Sequence, residues 1–389
     1  MTDDADVVVV GLGALGSATA WQLARRGVSV VGLERFELGH VRGASHGDSR
    51  IIRLSYHTPS YVENARQAYQ DWADLEADSG RSLVLRCGGI DVFPPGAAIP
   101  VDDYVAAMTA CRVPFEVLDE VAARRRWPAV AVPDGSTVLQ QRETGIVPAS
   151  LGSATMRERA TAHGARLVER CHVVELTADD DGVRVRCADG STLRARSAVV
   201  TADAWTNDVL AGVGVQVPLT VTKEHVVHFG LDAASAAAHA PGAFPVWIWM
   251  DDPSYYGFPS YGEASVKVGQ DCGGRVVDPD TRDFEPDGEY VAAMRDFVSR
   301  TVPGAGPVTR VTTCLYTLTP DRDFVAAPVP GQPRVVVGLG SAHGFKFSPW
   351  FGRVLADLAT TGVTSGDVSA FGLDRPALTD PEAPVHWLV

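Results

Sequence analysis

Short apolar runs alternate with a helical pattern at the start of the chain. Residues 6–10 read Asp-Val-Val-Val-Val, and a run of this kind predicts a strand buried on both faces of a parallel sheet. Residues 17–26 follow with apolar side chains spaced for one face of a helix, which Gly27 can end. A second apolar run covers residues 28–33 and stops at Glu34. This order of strand, helix and strand predicts a βαβ unit with two parallel strands.

The same kinds of pattern return in the middle and near the end of the chain. Beyond the first unit we predict a helix over residues 152–163 and strands over residues 166–176, 182–187, 198–200 and 335–338. Ser348 can cap a last helix that begins at Pro349 and is stopped by Gly362. Parts of one sheet are thus expected to come from three separate stretches of the chain.

The sequence Gly-x-Gly-x-x-Gly lies between the first strand and the first helix. Gly11 permits a tight turn, Gly13 lets the backbone approach a pyrophosphate, and Gly16 lets the helix pack closely on the strand. The free N–H groups at the start of the helix attract phosphate. Glu34 follows 23 residues after Gly11, where its carboxylate can accept hydrogen bonds from ribose hydroxyls and repels a 2′-phosphate. The turn therefore predicts a site for NAD or FAD and disfavours NADP.

Composition and charge limit the classes of function. Of the 389 residues, 46% are hydrophobic and 21% are charged, as in ordinary globular proteins. No apolar run approaches the roughly 18 residues of a membrane helix, and the N-terminus does not resemble a signal peptide, so we expect a cytoplasmic protein with no membrane partner. The net charge of −14 argues against a nucleic-acid partner, because phosphate binding needs a positive face. The six cysteines form no Cys-x-x-Cys pair, and we predict no metal site.

Lysine is scarce in this chain. Of the 34 basic residues, only Lys223, Lys267 and Lys346 are lysines. Because arginine is used almost everywhere else, a retained lysine indicates a position that needs a compact ammonium group rather than a planar guanidinium.

Five short segments carry most of the remaining functional signal. They are Gly-Ala-Ser-His-Gly-Asp-Ser-Arg-Ile-Ile-Arg at 43–53, Tyr-Tyr-Gly-Phe-Pro at 255–259, Val-Lys-Val-Gly at 266–269, Cys-Leu-Tyr-Thr-Leu-Thr-Pro-Asp at 314–321 and His-Gly-Phe-Lys-Phe-Ser at 343–348. Together, and in this order along nearly the whole chain, they resemble segments of the monomeric sarcosine oxidase family. That family also includes N-methyltryptophan oxidase and pipecolate oxidase.

The patterns and the resemblance together predict an α/β fold with two interleaved domains. A Rossmann-like FAD-binding domain is expected over residues 1–84, 145–217 and 315–389. An α+β substrate domain built on a mixed sheet is expected over residues 85–144 and 218–314.

The resemblance implies FAD as the cofactor, held covalently by a thioether from Cys314. His46 and Arg50 match residues that flank the flavin ring, and the helix that follows Ser348 would direct its positive end toward the ring. The expected cofactor contacts are Gly11, Gly13, Ala14, Leu15, Gly16, Glu34, Arg35, Ser45, His46, Arg50, Val174, Cys314, Gly340, His343, Gly344, Phe345 and Lys346.

The resemblance also implies catalytic roles, to which His46 and Arg50 contribute from beside the ring. Arg53 and Lys346 match the cations that bind a substrate carboxylate. Tyr256 and Tyr316 match aromatic walls of the substrate pocket. Lys267 matches the lysine at the flavin face, where a fixed ammonium favours the reduction of O₂.

Three positions depart from the family pattern. Asp271 stands where the family has a histidine, four residues after Lys267. It suits a substrate with an additional positive or donor group, or it pairs with a nearby cation, and we include it among the active-site residues. Asp203 and Ala342 stand where glycine is usual. These departures leave the identity of the substrate open.

The leading hypothesis is an FAD-dependent oxidase of a secondary amino acid, N-methyl or cyclic, that forms an imine and reduces O₂ to H₂O₂. The alternative within this chemistry is a flavin-dependent imino-acid dehydrogenase or tailoring enzyme of secondary metabolism that uses another electron acceptor. A non-catalytic nucleotide-binding protein and an RNA-modifying flavoprotein are alternatives from other classes, and the charge of −14 opposes the second. The resemblance favours a monomer whose partners are a small amino acid and O₂.

Overall fold

The computed structural model describes residues 4–385, which form three β-sheets with helices packed against them. The strands in chain order are β1 Ala5–Val10, β2 Val30–Leu33, β3 Arg50–Ile52, β4 Leu85–Arg86, β5 Gly89–Phe93, β6 Glu116–Asp119, β7 Thr137–Gln141, β8 Gly145–Val147, β9 Arg166–Val168, β10 Val173–Asp179, β11 Gly182–Cys187, β12 Thr192–Val200, β13 Thr220–Gly230, β14 Val246–Trp249, β15 Tyr255–Phe258, β16 Ser265–Gln270, β17 Arg275–Val276, β18 Val308–Leu318, β19 Val325–Val329 and β20 Gln332–Leu339. The α-helices are α1 Ala14–Ala24, α2 Pro59–Ser79, α3 Val101–Ala110, α4 Glu120–Arg126, α5 Ala149–Ala162, α6 Thr206–Leu210, α7 Ala233–Ala236, α8 Gly288–Thr301, α9 Ser348–Thr361 and α10 Pro376–Thr379.

The first sheet has a parallel centre in the order β20, β12, β1, β2 and β9. Antiparallel strands β10, β11 and β19 extend it to eight strands. Successive valines of β1 face opposite sides, so that Val7 and Val9 belong to one core and Val8 and Val10 to another. Both faces of β1 are therefore buried, as its uninterrupted apolar run predicts. The predicted βαβ unit is confirmed.

The predicted strand over residues 166–176 is wrong, because the structure divides it into β9 and β10. β9 pairs with β2 at one edge of the first sheet, whereas β10 pairs with β11 at the opposite edge. The chain has to leave the sheet between these strands, and Arg170 there has a φ of 56°. A local pattern of apolar residues does not reveal such a crossing.

The helix α9 begins one residue earlier than predicted, and Ser348 does not cap it. Ser348 has helical dihedral angles, φ −55° and ψ −42°, and Phe347 holds the capping position. A capping side chain requires an extended backbone, whereas here the 3₁₀ turn Gly344–Phe347 leads directly into the helix. Gly362 ends α9 in the left-handed conformation, φ 76°, as predicted.

The second sheet has nine strands and is mixed, with β14 and β5 parallel and its other pairs antiparallel. β13 and β18, each 11 residues long, form an extended pair in which Cys314 lies opposite Glu224. β18 crosses the predicted domain boundary between residues 314 and 315 and stays in this sheet along its whole length. The exact domain boundaries remain a prediction.

A small third sheet of β3, β8 and β4 fixes the end of the segment at residues 43–53. This segment contacts both larger units: Ser45 accepts a hydrogen bond from Ala14 at the start of α1, and Ser49 accepts one from Lys267 of β16. Within residues 4–385, no helix combines the length and the apolar character that a bilayer crossing requires.

Gly16 tests how tightly α1 is packed on the turn before it. A Cβ at this position would overlap the carbonyl oxygen of Gly11 and lie 2.5 Å from Oγ1 of Thr201. We expect Gly16→Ala to lower the free energy of unfolding by roughly 1–3 kcal/mol, because the helix has to move away from the sheet. Urea denaturation of the variant and the wild type would measure this difference in the free energy of unfolding. Gly288→Ala is the matched control, since a Cβ there has no neighbour within 4 Å in the described part of the chain, and its effect should stay within about 0.5 kcal/mol.

Candidate functional site

A continuous cleft extends from the glycine turn after β1 to one face of the second sheet. We call its two parts the glycine-turn end, lined by residues after β1 and β2 and before β10, and the sheet end, lined by the second sheet and the loop after β20. The two parts share the lining residues Gly13, Ala44, Ser45, Thr201 and Asp203. An extended ligand can therefore reach from the turn to the sheet.

The turn between β1 and α1 brings backbone close to the cleft. Gly11 has a φ of 92°, and a Cβ there would lie 2.6 Å from the carbonyl oxygen of Thr201. A Cβ on Gly13 would lie 3.1 Å from Oγ of Ser45, which accepts a 2.9 Å hydrogen bond from the Ala14 N–H. Glycine is required at Gly11 by contact as well as by conformation, whereas a Cβ on Gly13 would press on the Ser45 side chain. The first residues of α1 line the cleft.

Glu34 presents its carboxylate to the glycine-turn end. Its oxygens accept hydrogen bonds from the N–H groups of Leu12, at 2.8 Å, and Phe36, at 3.0 Å. Burial raises the pKa of Glu34, but the contact with His40 and these N–H groups outweigh it and lower the pKa. Glu34 is thus an ionised acceptor where ribose hydroxyls are expected.

Most of the expected cofactor contacts line the cleft. They are Gly11, Gly13, Ala14, Leu15, Glu34, Arg35, Ser45, Arg50, Cys314, Gly340, His343, Gly344, Phe345 and Lys346. Gly16 lies beneath the turn instead. Val174 is not among the residues that line the cleft: it is 39% exposed, and its neighbour Val173 lines the cleft, because side chains alternate along β10. The contact of Val174 with the cofactor stays a prediction.

One face of the second sheet forms a wall of the sheet end. The lining side chains occupy alternate positions on neighbouring strands and are Val226 of β13, Ile248 of β14, Tyr256 and Phe258 of β15, Lys267 of β16, and Cys314 and Tyr316 of β18. Gly269 makes room on this face, since a Cβ there would lie 2.5 Å from the hydroxyl oxygen of Tyr256. Strand pairing thus gathers residues that are distant in sequence.

Lys267 is held in position by Ser49. Its Nζ donates hydrogen bonds to the carbonyl oxygen of Ser49 at 2.7 Å and to its hydroxyl oxygen at 2.9 Å, and lies 4.4 Å from the centre of the Phe258 ring. Burial, and then the charge of Arg50, lower the pKa of Lys267 well below its ordinary value. An ammonium in this position is stabilised by any negative charge that develops beside it.

Arg50 and His46 belong to the same loop but differ in their access to the cleft. Arg50 lines the cleft and donates hydrogen bonds to the carbonyl oxygens of Ala44, at 2.9 Å, and His46, at 2.8 Å. The His46 side chain does not line it, and its Nε2 is buried with no hydrogen-bond partner in residues 4–385. Burial, and then Arg50, lower the pKa of His46 to about 4, so the ring is neutral at pH 7.

Two cations face the ring of Tyr56 in the sheet end. The guanidinium carbon of Arg53 lies 4.6 Å from the ring centre, and Nζ of Lys346 lies 5.9 Å from it. Arg53 is 5% exposed, and its Nη1, 3.7 Å from a carboxylate oxygen of Asp91, has no hydrogen-bond partner among the described residues. Lys346 donates to the carbonyl oxygen of His343 at 3.2 Å, and burial, followed by the charge of Arg53, lowers its pKa to about 7. This pair suits a carboxylate.

Asp271 pairs with Arg322, a residue that the sequence analysis missed. Nη1 and Nη2 of Arg322 donate to the two carboxylate oxygens of Asp271 at 2.8 and 3.3 Å. The Arg322 side chain is 1% exposed, and both residues line the sheet end. The sequence offered one signal for this pair, namely an aspartate where the family has histidine. Tyr56 and Ser49, also missed, carry no such signal.

Two positions at which the family usually has glycine carry other residues in this chain, and the backbone there is left-handed. Asp203 has a φ of 48° and Ala342 a φ of 69°. This conformation favours glycine, and another residue costs of the order of 1–2 kcal/mol. Asp203 lines both ends of the cleft, and burial raises its pKa to about 6.

The loop after β20 is closely packed around His343. A Cβ on Gly340 would lie 2.9 Å from the Cα of Gly344. His343 donates from Nε2 to the carbonyl oxygen of Arg322 at 2.9 Å and stacks on Phe324 with 4.5 Å between ring centres. Burial lowers the pKa of His343 well below its ordinary value, so the ring is neutral. His343 therefore supports the loop while it lines the cleft.

The residues of the cleft fit FAD. At one end they offer a turn that admits close approach by a pyrophosphate and an ionised acceptor, Glu34, for ribose. At the other end they offer an aromatic and cationic chamber that suits a flat redox ring and an anionic substrate.

Comparison with known proteins gives the same assignment. A family model described as FAD dependent oxidoreductase matches residues 6–358. Monomeric sarcosine oxidase of Bacillus sp. (strain NS-129) is 35% identical, with 97% of this chain and 98% of that protein covered. N-methyl-L-tryptophan oxidase of Yersinia pestis (strain Pestoides F) is 31% identical, with 96% and 99% covered. The solved structure of NikD, an unusual amino acid oxidase essential for nikkomycin biosynthesis, is 28% identical, with a TM-score of 0.84 and 95% and 98% covered. The resemblance is confirmed, and the chain belongs to the FAD dependent oxidoreductase family, in the group that contains monomeric sarcosine oxidase and N-methyl-L-tryptophan oxidase.

Proposed function

We propose that this protein is an oxidase of a secondary amino acid, N-methylated or cyclic, that oxidises a C–N bond to an imine and reduces O₂ to H₂O₂. The observation that carries the proposal is the convergence of Arg53, Lys346 and Lys267 in one buried cleft. The relatives named sarcosine oxidase and N-methyl-L-tryptophan oxidase support a secondary amine as the substrate. The relatives named monomeric sarcosine oxidase also support a monomer.

The substrate is bound through its carboxylate. Arg53 offers a planar fork that can hold both carboxylate oxygens, and Lys346 adds a compact positive charge. The two-electron chemistry would be supplied by bound FAD, which would accept a hydride equivalent from the carbon beside the amine and reduce O₂. The carboxylate anchor therefore serves to hold that carbon in one orientation.

The aromatic walls of the sheet end exclude water from the reacting groups. Burial raises the pKa of both Tyr256 and Tyr316, so each hydroxyl stays neutral at pH 7. An enclosed pocket that already holds Arg53, Lys346 and Lys267 disfavours a protonated amine, so it favours the uncharged amine that gives up a hydride equivalent, and the imine meets bulk water after release.

Lys267 is assigned to the reduction of O₂, and its removal tests the function. Lys267→Met should slow reoxidation of the reduced flavin by about 10²-fold, because a fixed ammonium no longer stabilises the developing negative charge. Anaerobic reduction by N-methyl amino acids, proline or pipecolate should be retained. Stopped-flow absorbance would follow both steps, and a coupled assay would detect peroxide.

The matched control is Lys223→Met, which removes a buried lysine that pairs with Asp283 outside the cleft. This variant should keep the wild-type reoxidation rate. Slow reoxidation of the wild-type protein without peroxide would favour the dehydrogenase alternative. No flavin reduction by any carboxylate-bearing amine would count against both enzymes.

Cys314 is proposed to hold FAD through a thioether. Its side chain lines the sheet end, is 6% exposed and lies close enough to Arg50 and Lys267 for their charges to act on it. Burial raises the pKa of the Cys314 thiol, and the two cations oppose that rise, so they assist the formation of the thiolate.

Acid precipitation tests the covalent bond. The wild-type pellet should stay yellow, whereas Cys314→Ala should release its flavin to the supernatant, because no other group forms the bond. Cys111→Ala, which alters a half-buried cysteine outside the cleft, should keep its colour in the pellet. A yellow wild-type supernatant would overturn the attachment.

Lys346 should make carboxylate binding depend on pH. Its pKa in the free site is lowered to about 7, and a bound carboxylate raises it, so that binding takes up a proton above pH 7. The affinity for propionate, read from the flavin absorbance, should therefore be highest below pH 7 and fall as the pH rises. Burial raises the pKa of Glu224 to about 7 as well, which makes Lys346→Arg the necessary control. This variant should bind equally from pH 6 to 9, and an unchanged pH dependence would assign the effect to another group.

A further inference from the structure

The pair formed by Asp271 and Arg322 stands within electrostatic reach of the proposed carboxylate site. The charge of Asp271 raises the pKa of Lys346, and the charge of Arg322 lowers it. The carbonyl oxygen of Arg322 also accepts the hydrogen bond of His343, whose own carbonyl oxygen accepts one from Lys346. The pair is thus joined to the carboxylate site through one short loop.

Without the charge of Asp271, Arg322 would add a third cation to Arg53 and Lys346 at the proposed carboxylate site. It is 1% exposed, and its guanidinium lines the same cavity as Arg53 and Lys346. A buried guanidinium attracts any carboxylate that it can reach, since bonds between charged groups are the strong ones in such a cavity. Here its two terminal nitrogens already donate to Asp271, so the pair carries no net charge.

Asp271 is equally occupied. Both of its oxygens accept hydrogen bonds from Arg322, so the negative charge of Asp271 is already compensated and does not attract a positively charged substrate group. The geometry therefore opposes the idea that Asp271 selects a substrate with an additional cation. It favours a role in which the aspartate cancels a cation of the protein.

We propose that Asp271 is a specificity-determining residue: by neutralising Arg322, it restricts the pocket to amino acids with one carboxylate and excludes those with a second. The inference rests on the proposed function in that Arg53 and Lys346 bind the substrate carboxylate. The substrate class is accordingly a secondary amino acid whose remaining part is uncharged and packs against Ile248, Phe258 and the two tyrosines of the sheet face.

Two inhibitors that differ by one carboxylate test this role without turnover. Propionate and succinate are titrated into the holoenzyme, and dissociation constants are read from the flavin absorbance. Wild-type protein should prefer propionate. Asp271→Asn removes the negative charge that neutralises Arg322 in the pocket, so the affinity ratio of succinate to propionate should rise at least about tenfold. An unchanged ratio in a folded variant would overturn the proposal.

Asp321→Asn is the matched control. Asp321 precedes Arg322 in sequence and does not line the cleft. Its two carboxylate oxygens accept hydrogen bonds from Arg375 at 2.7 and 2.9 Å, a two-point pair comparable to that of Asp271 with Arg322. Breaking this pair perturbs the loop between β18 and β19, which carries Arg322, without changing the charge of the pocket. Its ratio should equal that of the wild type, and a rise like that of Asp271→Asn would assign the effect to loop disorder.

The double variant Asp271→Asn/Arg322→Met separates the two charges. It removes the repulsion by Asp271 as well as the attraction by Arg322, so its ratio should return to near the wild-type value. A ratio that stays high would show that Arg322 is not the attracting group. If Asp271→Asn does not fold, Arg322→Met tests the same charge balance in the opposite direction. The remaining charge of Asp271 should weaken the binding of succinate more than that of propionate, so the affinity ratio should fall.

Arg53→Ala distinguishes a failure of this inference from a failure of the proposed function. If wild-type protein binds propionate and Arg53→Ala weakens it, the carboxylate site stands whatever Asp271 does. If Arg53→Ala binds propionate as the wild type does, the carboxylate site itself is wrong, and the role of Asp271 falls with it.

Discussion

The burial of positive charge is the constraint on which the rest of the site depends. Lys267, Arg53 and Arg322 are no more than 7% exposed, although moving one ion out of water costs several kcal/mol. The chain offsets this cost in two ways. The two arginines face carboxylates, of Asp91 and Asp271, and Lys267 instead has a lowered pKa. Such a cleft is completed by anionic ligands, even though the chain as a whole carries a net charge of −14.

One short segment connects the two ends of this cleft. Residues 43–53 contribute Ser45, which contacts the start of α1, and Ser49, which holds Lys267 on the second sheet. Arg50 and Arg53 of the same segment line the sheet end. Because β3 pairs with β8, the segment is fixed at its far end. The position of the nucleotide half and that of the reacting groups are thus set by one continuous piece of backbone.

Local patterns in the sequence were sufficient for the glycine turn and its flanking elements. The glycine spacing and the flanking strand and helix are local features, whereas the contacts that confine Gly11 and Gly13, with Thr201 and Ser45, come from distant parts of the chain. The break between β9 and β10 was not predictable, because it follows from pairing at opposite edges of a sheet. The local pattern likewise does not tell which of Val173 and Val174 lines the cleft, since the start of β10 decides which side chains face it.

The sheet end could be predicted only in part. Motif resemblance identified Lys267 and Cys314, and the alternation of strands explains why they share a face. Arg322 was missed because its partner Asp271 lies 51 residues away in sequence: Asp271 departs from the family pattern, but nothing local identifies Arg322 as the cation it pairs with. The orientation of Arg53 over Tyr56 is likewise a product of packing rather than of spacing.

The pairing of Asp271 with Arg322 also bears on how such a pocket can diverge. Replacing Asp271 alone removes the carboxylate that two nitrogens of the buried Arg322 guanidinium contact, and breaking a buried pair costs about 3–5 kcal/mol, a large part of the stability of a typical domain. Replacing Arg322 alone removes the same pair from a carboxylate that is 25% exposed. Substitutions at these two positions are therefore not independent steps. Lineages that explore new substrates at this wall are expected to change both residues together, or to change one only where added stability elsewhere makes the intermediate tolerable, so that the two positions should covary across descendants.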